Sequence, residues 1–308
     1  MMALLCALLT GAGYFFSTGI GEQWWLLWIA PLPILFYAFG QEKGWRVFLA
    51  AWAAMALGCS SWLRAYLGTL PLPVLLEGLL GPSLLFAASV MLARRANRTL
   101  GPLAGSLAFA CSWTALDFLI AFNRGGGAVQ SPSAALMGAP VLAQAAALFG
   151  FPVLTFLISL FPAGIASSLR SRSRVPLAFV LTVFLLNLGF GYWRMSSPPD
   201  ATLKVALVES DHTIGKIHAD DEAAALKAID AYVAASRQLI GQQVKLIIFP
   251  ENIARLEPRW RALAEAKLAA LADETDATLI AGFNMPLDGA GRNVSLAFTP
   301  HDGRPATT

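Results

Sequence analysis

Seven apolar runs fill the first two thirds of the chain, and they constrain it more than any other feature. They cover approximately residues 3–19, 23–40, 46–66, 72–93, 102–122, 140–168 and 175–193. A helix needs roughly 20 apolar residues to cross the hydrocarbon layer of a bilayer, where only a closed helical ladder satisfies the backbone. The runs have about that length, so residues 1–194 are expected to form a polytopic α-helical membrane domain of about seven spans. The sixth run is long and contains Pro152 and Pro162. It is expected to be kinked, tilted or preceded by a re-entrant piece. The first run also has the length of a signal peptide. No Lys or Arg precedes Lys43, however, and a signal peptide opens with a basic segment, so a first span is the preferred reading.

Composition agrees with a membrane class. Charged residues make up 13% of the chain, against about 25% in soluble domains. The charge is also unevenly placed. Residues 1–203 hold 11 Lys and Arg against 5 Asp and Glu, a net of +6; residues 204–308 hold 11 against 14, a net of −3. Nothing in this balance points to a nucleic-acid surface. Cys6, Cys59 and Cys111 all fall in apolar runs without metal-site spacing and read as small buried apolar residues. No metal and no cofactor are expected.

The loops give an orientation. Lys43 and Arg46, then Arg94, Arg95 and Arg98, then Arg170, Arg172 and Arg174 occupy alternate loops. The intervening loops hold only Arg64 and Arg124, with Glu22. Eight basic residues against two place the richer loops in the cytoplasm. Seven spans then deliver residues 195 onward to the outer side, which in a bacterium is the periplasmic or outer face of the inner (plasma) membrane. Trp24, Trp25, Trp28, Trp45 and Trp62 fit an interfacial belt. Glu77 and Asp117 lie near outer span ends, where an acid is either functional or paired with Arg64 or Arg124.

Residues 195–202, with Pro198 and Pro199, read as a linker. The period then changes. Leu203–Val208, Val244–Phe249, Thr278–Phe283 and Val294–Phe298 have strand character. A helix capped by Asp220 or Asp221 carries Leu226, Ile229, Val233, Ser236 and Ile240 on one face, and a second helix spans about 259–274. Asp288–Gly291 reads as a hairpin loop. The order β-α-β-α-β-β predicts a mixed sheet with helices on it over 203–308. His212 and His218 read as solvated. Gly125, Gly126 and Gly127 form an external loop that matches no phosphate-binding motif.

Glu251 is the candidate catalytic residue. It follows the strand run ending at Phe249 and the breaker Pro250, and in α/β sheets ligands bind beyond strand C-termini. A carboxylate beside an apolar wall suits general-base work. The alternative is a turn acid bonded to a nearby backbone amide.

Several segments resemble a known superfamily. Leu246–Asn252 with its Phe-Pro-Glu, Leu279–Phe283 and Arg292–Ser295 resemble the first half of a nitrilase-type (carbon–nitrogen hydrolase) domain. Trp113–Asp117 and the stretch from Pro140 through Gln144 and Gly150 to Leu157 resemble the membrane region of apolipoprotein N-acyltransferases within that superfamily. The resemblance implies an α-β-β-α sandwich, of which 203–308 would be the N-terminal half. It implies an acyltransferase that moves a phospholipid acyl chain to the N-terminal amine of a lipoprotein, with Glu251 as general base. Nitrilase chemistry joins that glutamate to a lysine and a nucleophilic cysteine. Here Lys267 precedes the third strand, no lysine follows Phe298, and no cysteine follows Cys111. The residue closing the first strand is Glu209 where the superfamily has Gln. This chain is therefore expected to be incomplete or inactive by itself, truncated within the nitrilase-like domain. A membrane-tethered nitrilase-type amidase and a non-catalytic lipid-binding or scaffold protein remain as alternatives.

Overall fold

A computed structural model describes residues 1–18, 23–68, 70–123, 131–197, 201–209, 221–287, 290–302 and 306–307. The expectations placed on Glu22, Arg124, Gly125–Gly127, Pro198, Pro199, His212, His218, Asp220 and the turn at 288–289 lie outside these residues. The chain divides into two compact units, Met1–Pro198 and Pro199–Thr308.

The first unit is helical. It contains α1 (Met2–Ser17), α2 (Leu32–Gly40), α3 (Gly44–Tyr66), α4 (Leu72–Thr99), α5 (Pro102–Asn123), the short α6 (Pro140–Ala143) and α7 (Ala146–Phe149), α8 (Pro152–Ser171) and α9 (Val175–Ser196). Among the described residues, five helices, α3, α4, α5, α8 and α9, are long and apolar enough to cross a membrane. The first two apolar runs fall short of that. α1 has 16 residues, about 24 Å at the helical rise, against about 30 Å of hydrocarbon. The second run is split into a 3₁₀ turn, Trp24–Trp28, and the nine-residue α2, which starts beside Pro31 and Pro33. The sixth run is also divided. α7 ends at Gly150 with φ 71°, and α8 begins afresh with Pro152 in its first turn, where a missing N–H costs nothing. Pro162 is carried inside α8.

Small residues set the helix spacing. A Cβ on Gly11 would lie 2.8 Å from the Ala54 carbonyl, and one on Gly58 would lie 2.6 Å from the Tyr14 Cβ, so α1 and α3 meet backbone to backbone. This is how helices associate where lipid removes the hydrophobic drive between them. Phe86 sits at the centre with no exposure, edge-on to Tyr14, Phe109 and Trp113. Trp28 is core rather than belt: it is 7% exposed and packs edge-on against Phe161 and Phe184. Cys6 is buried as expected, but Cys111 is exposed on α5.

The basic loop residues also have a structural task. Arg94 donates to the carbonyls of Gln41 and Glu42, Arg98 to Gln41, and Arg170 to Gly40. Three arginines from two other helices thus satisfy the open carbonyls at the C-terminus of α2.

The second unit is a mixed sheet with two helices on one face. β1 (Val205–Leu207), β2 (Leu246–Ile248) and β4 (Thr278–Leu287) run parallel. β5 (Ala290–Phe298) pairs antiparallel with β4, and β6 (Ala306–Thr307) with β5. The two-residue β3 (Ala254–Arg255), which the sequence pattern did not reveal, also pairs with β4. Asp221 caps α10 (Glu222–Arg237) by accepting from the Ala224 N–H at 3.1 Å. Ile229, Val233 and Ser236 face inward from it, whereas Ile240 lies past the helix end and is half exposed. α11 (Pro258–Thr275) contributes Trp260, Ala264, Leu268 and Leu271 to the same core as Ile247, Leu279, Phe283 and Phe298. Val205 and Leu207 are exposed along the edge strand.

Candidate functional site

Glu251 lies where the partner of β4 changes. β2 pairs with residues 278–280 and β3 with 283–284. The five residues 249–253 therefore pass opposite two, Ala281 and Gly282, and the excess is thrown outward as a bulge. The bulge is anchored by Phe249 donating to the Ile280 carbonyl, Gly282 to the Pro250 carbonyl and Ile253 to the Gly282 carbonyl. A Cβ on Gly282 would overlap the Glu251 carbonyl group and lie 2.6 Å from its Cα. Only glycine permits this approach, so Gly282 fixes where Glu251 stands.

The Glu251 side chain is exposed and accepts from the Asn293 amide, Nδ2 to Oε1 at 2.6 Å. Asn293 in turn accepts weakly from Asn284, its register partner across β4 and β5, at 3.4 Å. Among the described residues the exposure of Glu251 does not fit the apolar wall expected beside it. The turn-acid alternative does not describe the contact either: the donor is a side-chain amide 42 residues away. Asn252, the next residue, keeps its Oδ1 buried without a donor among the described residues. Lys267 sits on α11 and bonds Asp230 of α10 at 2.5 Å, so it ties two helices together and does not join Glu251. A shallow cleft of about 580 Å³ lies at the opposite, N-terminal ends of the strands, lined by Leu203, Lys204, Val244, Lys245 and Asp276. Among the described residues, no three His, Cys, Asp or Glu side chains converge as metal ligands.

The membrane unit holds a second polar constellation that the sequence only half revealed. Asp117 on α5 is 6% exposed. Among the described residues its partners are hydroxyls: Thr155 of α8 and Ser131 both donate to Oδ2 at 2.7 Å. Glu77, the other acid near a span end, is exposed on α4. Asp117 is the acid of the Trp113–Asp117 stretch, and Trp113, one turn earlier, packs against Phe86.

The comparisons agree with the helical half. No curated protein matches the chain. The family model described as the apolipoprotein N-acyltransferase N-terminal domain matches residues 7–164. That interval runs from α1 into α8, holds the α1–α3 contact, the Phe86 cluster and Asp117, and is half of the chain. The chain therefore belongs to the apolipoprotein N-acyltransferase family.

Proposed function

We propose that this protein is an acyltransferase that moves an acyl chain from a phospholipid to the N-terminal amine of a lipoprotein, with Glu251 as its general base. The observation that carries the reading is the Glu251 bulge, pinned by Gly282 and bonded to Asn293, in a chain whose membrane half belongs to the N-acyltransferase family. Asn293 is a positioning residue: its amide occupies Oε1 and holds the carboxylate at the strand end.

In this reading the glutamate takes the proton of a thiol as the thiol sulfur attacks the phospholipid ester carbonyl. The lysophospholipid alcohol leaves with a proton, and a thioester remains. The lipoprotein amine then attacks the thioester, loses its proton to the glutamate and regenerates the thiol. A lysine ammonium stabilises the oxyanion of each step. Residues 203–308 hold no cysteine, and Lys267 is paired with Asp230. Both substrates are lipid-anchored, and holding the base on a membrane-spanning scaffold raises their effective concentration at it. The basic loops support an inner-membrane orientation with Glu251 on the outer side.

The test is an exchange assay in proteoliposomes with labelled phospholipid and a diacylglyceryl lipopeptide. Amide formation by the protein should stop in Glu251→Gln. Release of free fatty acid or ammonia in place of amide would favour the amidase. The Lys267–Asp230 pairing keeps a second reading in view, a lipid-binding scaffold. In that case Glu251→Gln is silent in cells, whereas loss of the membrane unit is not.

A further inference from the structure

Three stretches far apart in sequence meet at one end of the membrane unit. Residues 41–46, 94–101 and 170–174 together hold eight Lys and Arg, with Glu42 as their one acid. Side-chain bonds bring them to the same place. Ser167 of α8 donates to the Asn97 side chain and to the Pro102 carbonyl, and Arg94 and Arg170 both reach the end of α2.

Three of these cations converge. The Arg94 and Arg98 guanidiniums bond the same Gln41 carbonyl, at 3.0 and 3.3 Å, and Arg170 bonds the neighbouring Gly40 carbonyl at 3.3 Å. A Cβ on Gly40 would overlap the Arg170 guanidinium, which lies directly against the backbone there. The carbonyls occupy few of the available donors. Among the described residues Arg94 keeps both hydrogens of Nη1, and Arg98 and Arg170 each use a single Nη2 donor. Arg94 and Arg98 repel each other, and the α2 C-terminus sets only about half a negative charge against three positive ones. Among the described residues no carboxylate pairs with any of the three, and Glu42 is exposed. Capping α2 does not by itself require two arginines on one carbonyl.

We infer that Arg94, Arg98 and Arg170 bind the phosphate of an anionic phospholipid at the end of α2. The unused guanidinium donors fit phosphate oxygens, singly or as a fork. The source is a lipid because α4 and α8, which carry the three arginines, are long enough to cross a bilayer, and their ends reach the layer where its phosphates lie. Trp45, 62% exposed with the Arg46 guanidinium 5.4 Å from its ring, is a residue of headgroup level on the same stretch. Phe36, partly exposed beneath Arg170 at 5.8 Å, offers apolar surface to the first methylenes. A zwitterionic lipid is disfavoured, since its own cation would meet the same three arginines. The lipid is held and not consumed. It ties α4 and α8 to α2, which at nine residues is too short to cross the bilayer by itself.

The test reads binding and does not depend on acyl transfer. The purified chain in a nonionic detergent is given phosphatidylglycerol, or phosphatidylcholine with the same acyl chains, and followed by native mass spectrometry and thermal melting. Phosphatidylglycerol should bind about tenfold more tightly and raise the midpoint saturably by about 3 °C. Glycerol phosphate, the headgroup phosphate without chains, should leave the midpoint unchanged. Arg98→Gln, which gives up one long bond to α2, should weaken phosphatidylglycerol binding about tenfold and leave phosphatidylcholine binding as it was. Arg174→Gln removes a charge from the same end but none of these bonds, and should bind phosphatidylglycerol like the parent. Equal binding of the two lipids by the parent chain would overturn the site, whatever the variants do. So would an equal rise with glycerol phosphate, which assigns the arginines to a soluble phosphate. So would a loss in Arg174→Gln as large as in Arg98→Gln, which reduces the attraction to diffuse charge. A preference retained when Arg98→Gln and Arg170→Gln are combined would place the lipid elsewhere and likewise refute the proposal.

Discussion

Asp117 and Glu251 are both acids brought to their places by distant parts of the chain, but their environments are opposite. Asp117 is closed in among three helical segments and, among the described residues, bonds hydroxyls. Glu251 stands in the open on a backbone bulge and meets one amide. The units that hold them differ in the same way. The membrane unit is packed by small residues and an aromatic cluster, and it carries the family match. The C-terminal unit is a sheet with helices on one face, and it carries the candidate base. The family match and the proposed base thus lie in different units, and each must be tested by itself.

The largest expected contrast comes from removing one aromatic side chain from each core. Trp260→Ala empties a site that is 1% exposed and removes an indole N–H that bonds the Arg255 carbonyl at 3.1 Å. It should destabilise the C-terminal unit by about 4 kcal/mol, read by chemical denaturation of the full chain. Phe86→Ala leaves a comparable void in the membrane unit, but lipid is as apolar as the core. Only the cavity term remains, and the cost should be about 2 kcal/mol in a detergent or bilayer unfolding assay. Equal costs would mean that the two units are held by the same force, contrary to this comparison.

Next in size is Gly282→Ala. Its Cβ meets the Glu251 carbonyl, and the strand must yield, at a cost of about 2–3 kcal/mol. Acyl transfer should fall further than stability does. A variant as active as the parent would show that the bulge is not needed to place Glu251.

Asn293→Ala is the sharper and milder probe. The contact is exposed, so the melting point should barely move, but activity should fall about tenfold or more as the base loses its restraint. Asn293→Asp should do worse, because it sets a second carboxylate against the first.

The smallest effect belongs to surface ion pairs of the C-terminal unit. Hydrogen bonding and charge from Arg237 hold the Glu274 carboxyl below its usual range, and Lys245 does the same for Asp276. Both groups titrate lower folded than unfolded. Their contribution is therefore complete above the ordinary carboxylate range and fades as pH falls through the lowered folded values. Both pairs are exposed, so Glu274→Gln should lower the neutral plateau only slightly and leave the acid end of the stability profile, where the carboxyl is already protonated, unchanged.

The membrane class was legible because hydropathy is a local property and the apolar runs are unbroken in sequence. The number of full-length helices was less so. α1 stops after 16 residues and the prolines near position 32 divide the second run, and run length alone does not show this. The strands and helices around Glu251 were legible from their periods, to within a few residues. What lay hidden depends on long-range approach. β3 is two residues long, and the close passage of Gly282 against Glu251 needs both strands in register. Asp117 was visible as an acid in an apolar helix, but Thr155, 38 residues on, gives no sign that its hydroxyl will meet it. Trp28 resembled its belt neighbours until the 3₁₀ turn was seen to point it inward.

The central claim is that Glu251 serves as the base of lipoprotein N-acylation, and the direct test is made in the cell. Glu251→Gln is placed at the chromosomal locus, with that locus the sole source of the activity, and the N-terminal cysteine of an abundant lipoprotein is analysed by mass spectrometry. The account predicts that the diacylglyceryl group persists while the amine is left free, with the variant protein present at normal level in the membrane. Full N-acylation in that strain would contradict it.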